Sequence, residues 1–144
     1  MKMKNPMLVV TDINKSVEFY EKVLGLHVVM DFGANKTLTG GLVLQTLETW
    51  KDFIGIDKVS FGSNNFEVYF EEDDFDNFTE RLEKCNVEYV HPVKEHSWGQ
   101  RVVRIYDPDK HIIEIGENIK VVCKRFAVII RECNRHSETC GRIV

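Results

Sequence analysis

One arrangement occurs twice along this chain, and any fold must accommodate both copies. Asp12 and Asp74 each stand ahead of a helical pattern, and the pairs Glu21-Lys22 and Glu83-Lys84 near the helix ends repeat at the same interval as the two aspartates. The first helix is predicted from Asp12 to Leu24: the aspartate caps it, Ile13, Val17, Tyr20 and Leu24 fall at helical spacing, and Gly25 closes it. The second runs from about Asp74 to Cys85, with Phe75, Phe78, Leu82 and Cys85 on one face. A strand precedes each cap, at residues 6–10 and 66–71. Three strand-like runs follow each helix, at 27–31, 36–39 and 42–46, then at 87–91, 101–106 and 111–115. Each half therefore reads βαβββ, and the matched intervals point to an internal duplication. Residues 48–63, with Trp50, Phe53 and Ile54, read as a connector carrying a short helical turn. The fold class is α+β.

The last hairpin concentrates the chemistry. Asp107-Pro108-Asp109-Lys110 supplies the turn, since proline fixes φ and aspartates bond their own backbone. In the strand that follows, Ile113 and Ile115 share one face, Ile112 and Glu114 the other. A buried, unpaired carboxylate is costly, so Glu114 requires a partner, a metal or a wet cavity. Arg104 alternates with Val103 and Ile105 on the neighbouring strand. It either faces an anionic ligand or neutralises a glutamate.

A chain of 144 residues suits one compact unit. With 43% hydrophobic and 29% charged residues and only three prolines, it is expected to be ordered. A net charge of −4 argues against a nucleic-acid surface. No apolar run reaches the roughly 18 residues of a membrane span, and Met1-Lys2-Met3-Lys4 lacks the apolar stretch of a signal peptide. A cytoplasmic protein with reduced thiols is the expectation. Cys123, Cys133, His136 and Cys140 match no common zinc spacing. Ser16 has no base placed to activate it and is expected at the surface, and His111, opening a strand after a turn, is expected to be a structural hydrogen bonder. The apolar run at 126–130 in the 121–144 tail is expected to pack on the body or a partner, or to add a helix or strand.

Two blocks carry a resemblance: Leu8-Val9-Val10-x-Asp12-Ile13-x-x-Ser16-x-x-Phe19-Tyr20-x-x-Val23-Leu24-Gly25-Leu26, and Trp98-Gly99-Gln100-Arg101-x-x-Arg104-x-Tyr106-Asp107-Pro108-Asp109-x-His111-Ile112-Ile113-Glu114. Together they resemble the vicinal oxygen chelate superfamily of glyoxalase I, bleomycin-resistance proteins and extradiol dioxygenases. The resemblance implies one domain over 1–120, with modules at about 5–47 and 64–117. Their strands would curl into a cup-shaped mixed sheet, often in a homodimer.

The same resemblance implies a divalent metal held by one residue from the first and last strand of each module. The matching positions are Asn5, Gln45, Glu67 and Glu114. Members that bind zinc, nickel or iron usually place histidine at first-strand positions, whereas this chain has Asn5 and Glu67, which disfavours true glyoxalase I activity. Oxygen donors suit magnesium or manganese better than nickel or zinc. Two functions follow from the resemblance. One is a metal-dependent lyase, isomerase or transferase on a small oxygen-bearing substrate, with Glu114 as general base. The other is a metal-free module that sequesters a cationic, aromatic small molecule. Its candidate contacts are Tyr69, Trp50 and Trp98 beside the two glutamates, and Arg104 is a candidate substrate-binding residue for an anionic group. If Arg104 pairs with Glu67 or Glu114, metal affinity is expected to be poor. Trp98 and Trp50 are equally readable as packing residues.

Overall fold

The structure, a computed structural model, describes residues 1–128. The first module comprises β1 (Met7–Val10), α1 (Ile13–Leu24), β2 (Val28–Asp31), β3 (Asn35–Leu38) and β4 (Val43–Thr46). After α2 (Leu47–Ile54), the second repeats the order with β5 (Glu67–Glu72), α3 (Phe75–Glu83), β6 (Glu88–Glu95), β7 (Arg101–Tyr106) and β8 (Ile112–Glu117). A last helix, α4, covers 119–128. Two four-stranded mixed sheets result, ordered β1-β4-β3-β2 and β5-β8-β7-β6. In each, the first strand pairs in parallel with the last while the remaining pairs are antiparallel. Two βαβββ modules are therefore present, as the sequence pattern indicated.

Local chemistry accounts for the elements. The Asp12 carboxylate accepts from the backbone N–H groups of Asn14 and Lys15, and Gly25 closes α1 in the left-handed conformation. Asp74 does the same for α3 through the N–H of Asn77. Leu8, Val10 and Leu44 from the first sheet, Val103, Ile105, Ile113 and Ile115 from the second, and Tyr20, Phe75, Phe78 and Leu82 from the helices form one buried cluster. Both modules therefore contribute to the same core. Polar contacts reinforce the junction: the N–H and hydroxyl of Thr11 donate to the Asp109 carboxylate at 3.0 and 2.6 Å, and the Tyr20 hydroxyl donates to Asp107 at 2.9 Å.

Two expectations change. The connector contains a full helix, α2, which the sequence signals weakly because Thr46 makes no side-chain cap. Ser16 is buried inside α1, not exposed, and its hydroxyl finds no hydrogen-bond partner among the described residues. The tail does begin as a helix, which buries Val122 and lays Phe126 on the backbone at Gly99, where a Cβ would run into the ring. Cys133, His136 and Cys140 lie outside the described residues. Among those described, no helix is long and apolar enough to cross a membrane.

Candidate functional site

Strand register builds the site. Across the second sheet, Tyr69 lies opposite Glu114, Glu114 opposite Arg104, and Arg104 opposite His91, a row that crosses all four strands. Because Ile113 and Ile115 are in the core, Glu114 points to the other face. Its side chain is only 9% exposed, so its charge requires compensation, and the Arg104 guanidinium supplies it as an ion pair. The same guanidinium donates through Nε to Glu67 at 2.8 Å and through Nη2 at 3.3 Å. Its Nη1 faces His91 Nε2 at 3.2 Å. One cation thus holds both glutamates. Oε2 of Glu114 is in ionic contact with Arg104 but has no aligned hydrogen-bond donor.

A second set of contacts fixes the aromatic edge of this face. Buried Gln100 accepts from the Trp98 indole at 3.0 Å and donates to the Tyr69 hydroxyl at 2.9 Å and to the Glu117 carbonyl at 2.8 Å. The Tyr69 hydroxyl donates in turn to Glu71 at 3.0 Å. Partial burial and the neighbouring Glu71 carboxylate push the Tyr69 phenol above its ordinary pKa, while the Gln100 hydrogen bond works against them. The Tyr69 ring remains 46% exposed. Trp98 is exposed too and stacks on His96 at 4.2 Å between centroids.

The first sheet carries a corresponding row, Val9 opposite Gln45 and Gln45 opposite Asn35. Here the last-strand residue is sealed. Gln45 is buried, accepts from the Asn35 amide at 2.7 Å and donates to Thr49 of α2. Only the second row lies open.

A family model described as a glyoxalase-like domain matches residues 3–120. The chain belongs to that family. As a glyoxalase-like domain it falls within the vicinal oxygen chelate superfamily. It is 30% identical over 129 residues to the uncharacterized protein YraH of Bacillus subtilis (strain 168), covering 80% of this chain and 97% of that one. A crystal structure of a protein of unknown function from Agrobacterium tumefaciens str. C58 is 37% identical, with 82% and 94% of the two chains covered and a TM-score of 0.75. A glyoxalase/bleomycin resistance protein/dioxygenase from Nocardioides shares the fold at 21% identity, with 81% and 83% covered and a TM-score of 0.66.

Against this glyoxalase-like frame, the sequence-derived residues divide in two. Glu67, Glu114, Arg104 and Tyr69 come together on the open face, and Trp98 joins them through Gln100. Gln45 belongs to the first module, and Asn5 and Trp50 flank it. Asn5 precedes β1, and its amide donates to the Gly41 carbonyl at 2.7 Å. Asn5 and Glu67 each stand seven residues before a helix cap, Asp12 and Asp74, but strand register does not equate them. Met7 sits two residues before the partner of Gln45, as Glu67 sits two before the partner of Glu114. The interval misleads because β5 is two residues longer than β1. Trp50 is half-buried on α2, the helix that seals Gln45.

This donor set does not fit a divalent metal. Both carboxylates already hold a guanidinium, and Asn5 and Gln45 are spent on contacts within the first module. Among the described residues, no three His, Cys, Asp or Glu side chains stand together as a ligand set. His91 and Gln100 escaped the sequence reading. The β6–β7 ladder shifts register on both sides of His91, so no alternation pattern places it opposite Arg104. Gln100 was legible only as part of Trp98-Gly99-Gln100, because its partners Tyr69 and Glu117 are distant in sequence.

Proposed function

We propose that this glyoxalase-like domain binds a small organic cation on the open face of its second sheet, with no divalent metal in the site. The observation that carries the reading is the Arg104 guanidinium held between Glu67 and Glu114. A resident cation there leaves a metal no free carboxylate pair. It leaves an acidic excess on the face, where by register Glu67, Glu71 and Glu114 stand with Arg104 and Lys94. The exposed ring of Tyr69 and the neighbouring Trp98 offer stacking surfaces, and an aromatic face next to carboxylates suits a cation through both charge and ring quadrupole. The metal-dependent lyase reading needs Glu114 free as a base, and the ion pair works against that.

The test compares N-methylquinolinium with neutral quinoline by tryptophan quenching, with and without EDTA. The cation should bind saturably and at least about tenfold more tightly, a difference of roughly 1.4 kcal/mol. Glu67→Gln should erase most of that preference, and EDTA should change nothing. Equal binding of the two probes, or binding that appears only with added manganese, magnesium, nickel or zinc, would overturn the reading.

We further infer a cytoplasmic homodimer. The exposed apolar residues Val28, Val29 and Met30 of edge strand β2, followed by Phe32, support self-association, since an uncovered apolar edge is an aggregation hazard. Sedimentation equilibrium giving the monomer mass at micromolar concentration would rule the dimer out.

A further inference from the structure

A cavity of about 260 Å³ lies away from Arg104, where β1, the connector and the β7–β8 turn meet. Its walls include Met7, Val9, Phe61 and Phe66, and Ser60, Ser63, Lys110 and His111 supply polar groups. Lys110 is directed elsewhere: its ammonium pairs with Glu88 and lies 5.4 Å above the Tyr106 ring. His111 differs. Its Nδ1 contacts Asp107 Oδ2 at 2.8 Å, and the Phe61 ring meets it edge-on at 6.2 Å.

Asp107 decides which nitrogen of His111 carries the proton. Its side chain is fully buried and takes four contacts. Oδ1 accepts from the backbone N–H of Asp109 and of His111, and Oδ2 accepts from the Tyr20 hydroxyl. Burial, then the Asp107 charge, holds the Tyr20 phenol well above its ordinary pKa, so Tyr20 remains the donor. With Oδ2 acting as an acceptor, the neutral His111 imidazole carries its proton on Nδ1 and leaves a lone pair on Nε2. Nε2 makes no hydrogen bond among the described residues, and the ring is 18% exposed at the cavity wall. Lys110, beside it, is one of only two non-glycine residues with positive φ among those described. Such conformations persist where the surroundings over-determine them, and they cluster at functional sites.

From this geometry we infer that the cavity binds a single-ring, neutral molecule bearing a weakly acidic hydroxyl, which donates to His111 Nε2. The volume falls just under the range of drug-sized ligands, the apolar walls favour an apolar body, and the acceptor oriented by Asp107 calls for a donor. The site is independent of the organic-cation face. NMR titration of the full chain with p-cresol and with toluene tests it, following the Met7 methyl and the His111 ring nitrogens. p-Cresol should shift both saturably and bind about fivefold more tightly than toluene, as expected for one hydrogen bond. His111→Asn replaces Nδ1 with an amide donor toward Asp107 and removes Nε2, so it should abolish the preference. Glu67→Gln should leave it intact, which separates this site from the cation face. If p-cresol leaves Met7 unmoved, or shifts His111 Nε2 no more than toluene does, the inference fails. That wild-type comparison decides the matter even if the asparagine variant does not fold.

Discussion

Arg104 serves three neighbours at once, Glu67, Glu114 and His91, and the strand ladder sets that geometry directly opposite two of them. Removing one partner of a buried pair leaves the other charge uncompensated. Arg104→Ala should therefore cost about 3 kcal/mol in urea denaturation, because Glu114 stays buried without its cation. The double variant Arg104→Ala/Glu114→Gln should regain at least half of that loss, since the orphaned charge is gone. An unchanged urea midpoint for Arg104→Ala would show that the pair does not hold the site. At this scale the sequence was informative about Glu114: its alternation with Ile113 and Ile115 marked a carboxylate in need of a partner. Arg104 was legible as a possible partner from its alternation with Val103 and Ile105, but alternation alone left open whether it met a glutamate or an anionic ligand.

Single contacts also tie whole elements together. Glu117, at the end of β8, is 4% exposed at its side chain and meets Arg101 of β7 and Arg125 of α4, while Arg101 reaches Asp76 of α3. Burial alone would raise the Glu117 pKa, but hydrogen bonds from the two arginines outweigh it and hold the carboxyl at about 2, against an ordinary 4.5. A carboxyl depressed in the folded state stabilises fully above its unfolded pKa, and that contribution is lost as pH falls through the folded value. Roughly 3 kcal/mol of stability should therefore disappear between pH 4.5 and 2. Glu117→Gln should be less stable than wild type at pH 7 and show a flatter acid limb, the two curves converging near pH 2. Parallel curves over that range would contradict the assignment. The helices with side-chain caps, α1 and α3, were readable from Asp12 and Asp74, whereas uncapped α2 was legible only as a short helical turn within 48–63. Its consequence, the sealing of Gln45 through Thr49, was therefore also beyond sequence reading.

Across the whole molecule, two modules of the same topology carry similar sheets with different fates. The repeated caps and strand order were visible in the chain, and the shared core explains why both copies must fold together. What differs is what covers each polar row. Helix α2 closes the row of the first module, while α4 packs near Gly99 and Glu117 and leaves the row of the second open. The Arg104 guanidinium lies between the two glutamates for which the resemblance implied a metal, and that placement supports the proposed organic-cation ligand. Isothermal titration of the purified protein with manganese and with zinc at pH 7 tests this most directly. Heats of dilution alone are expected, since Arg104 already occupies both carboxylates. Saturable, stoichiometric binding that is lost in Glu114→Gln would contradict the account and return Glu67 and Glu114 to the role of metal ligands.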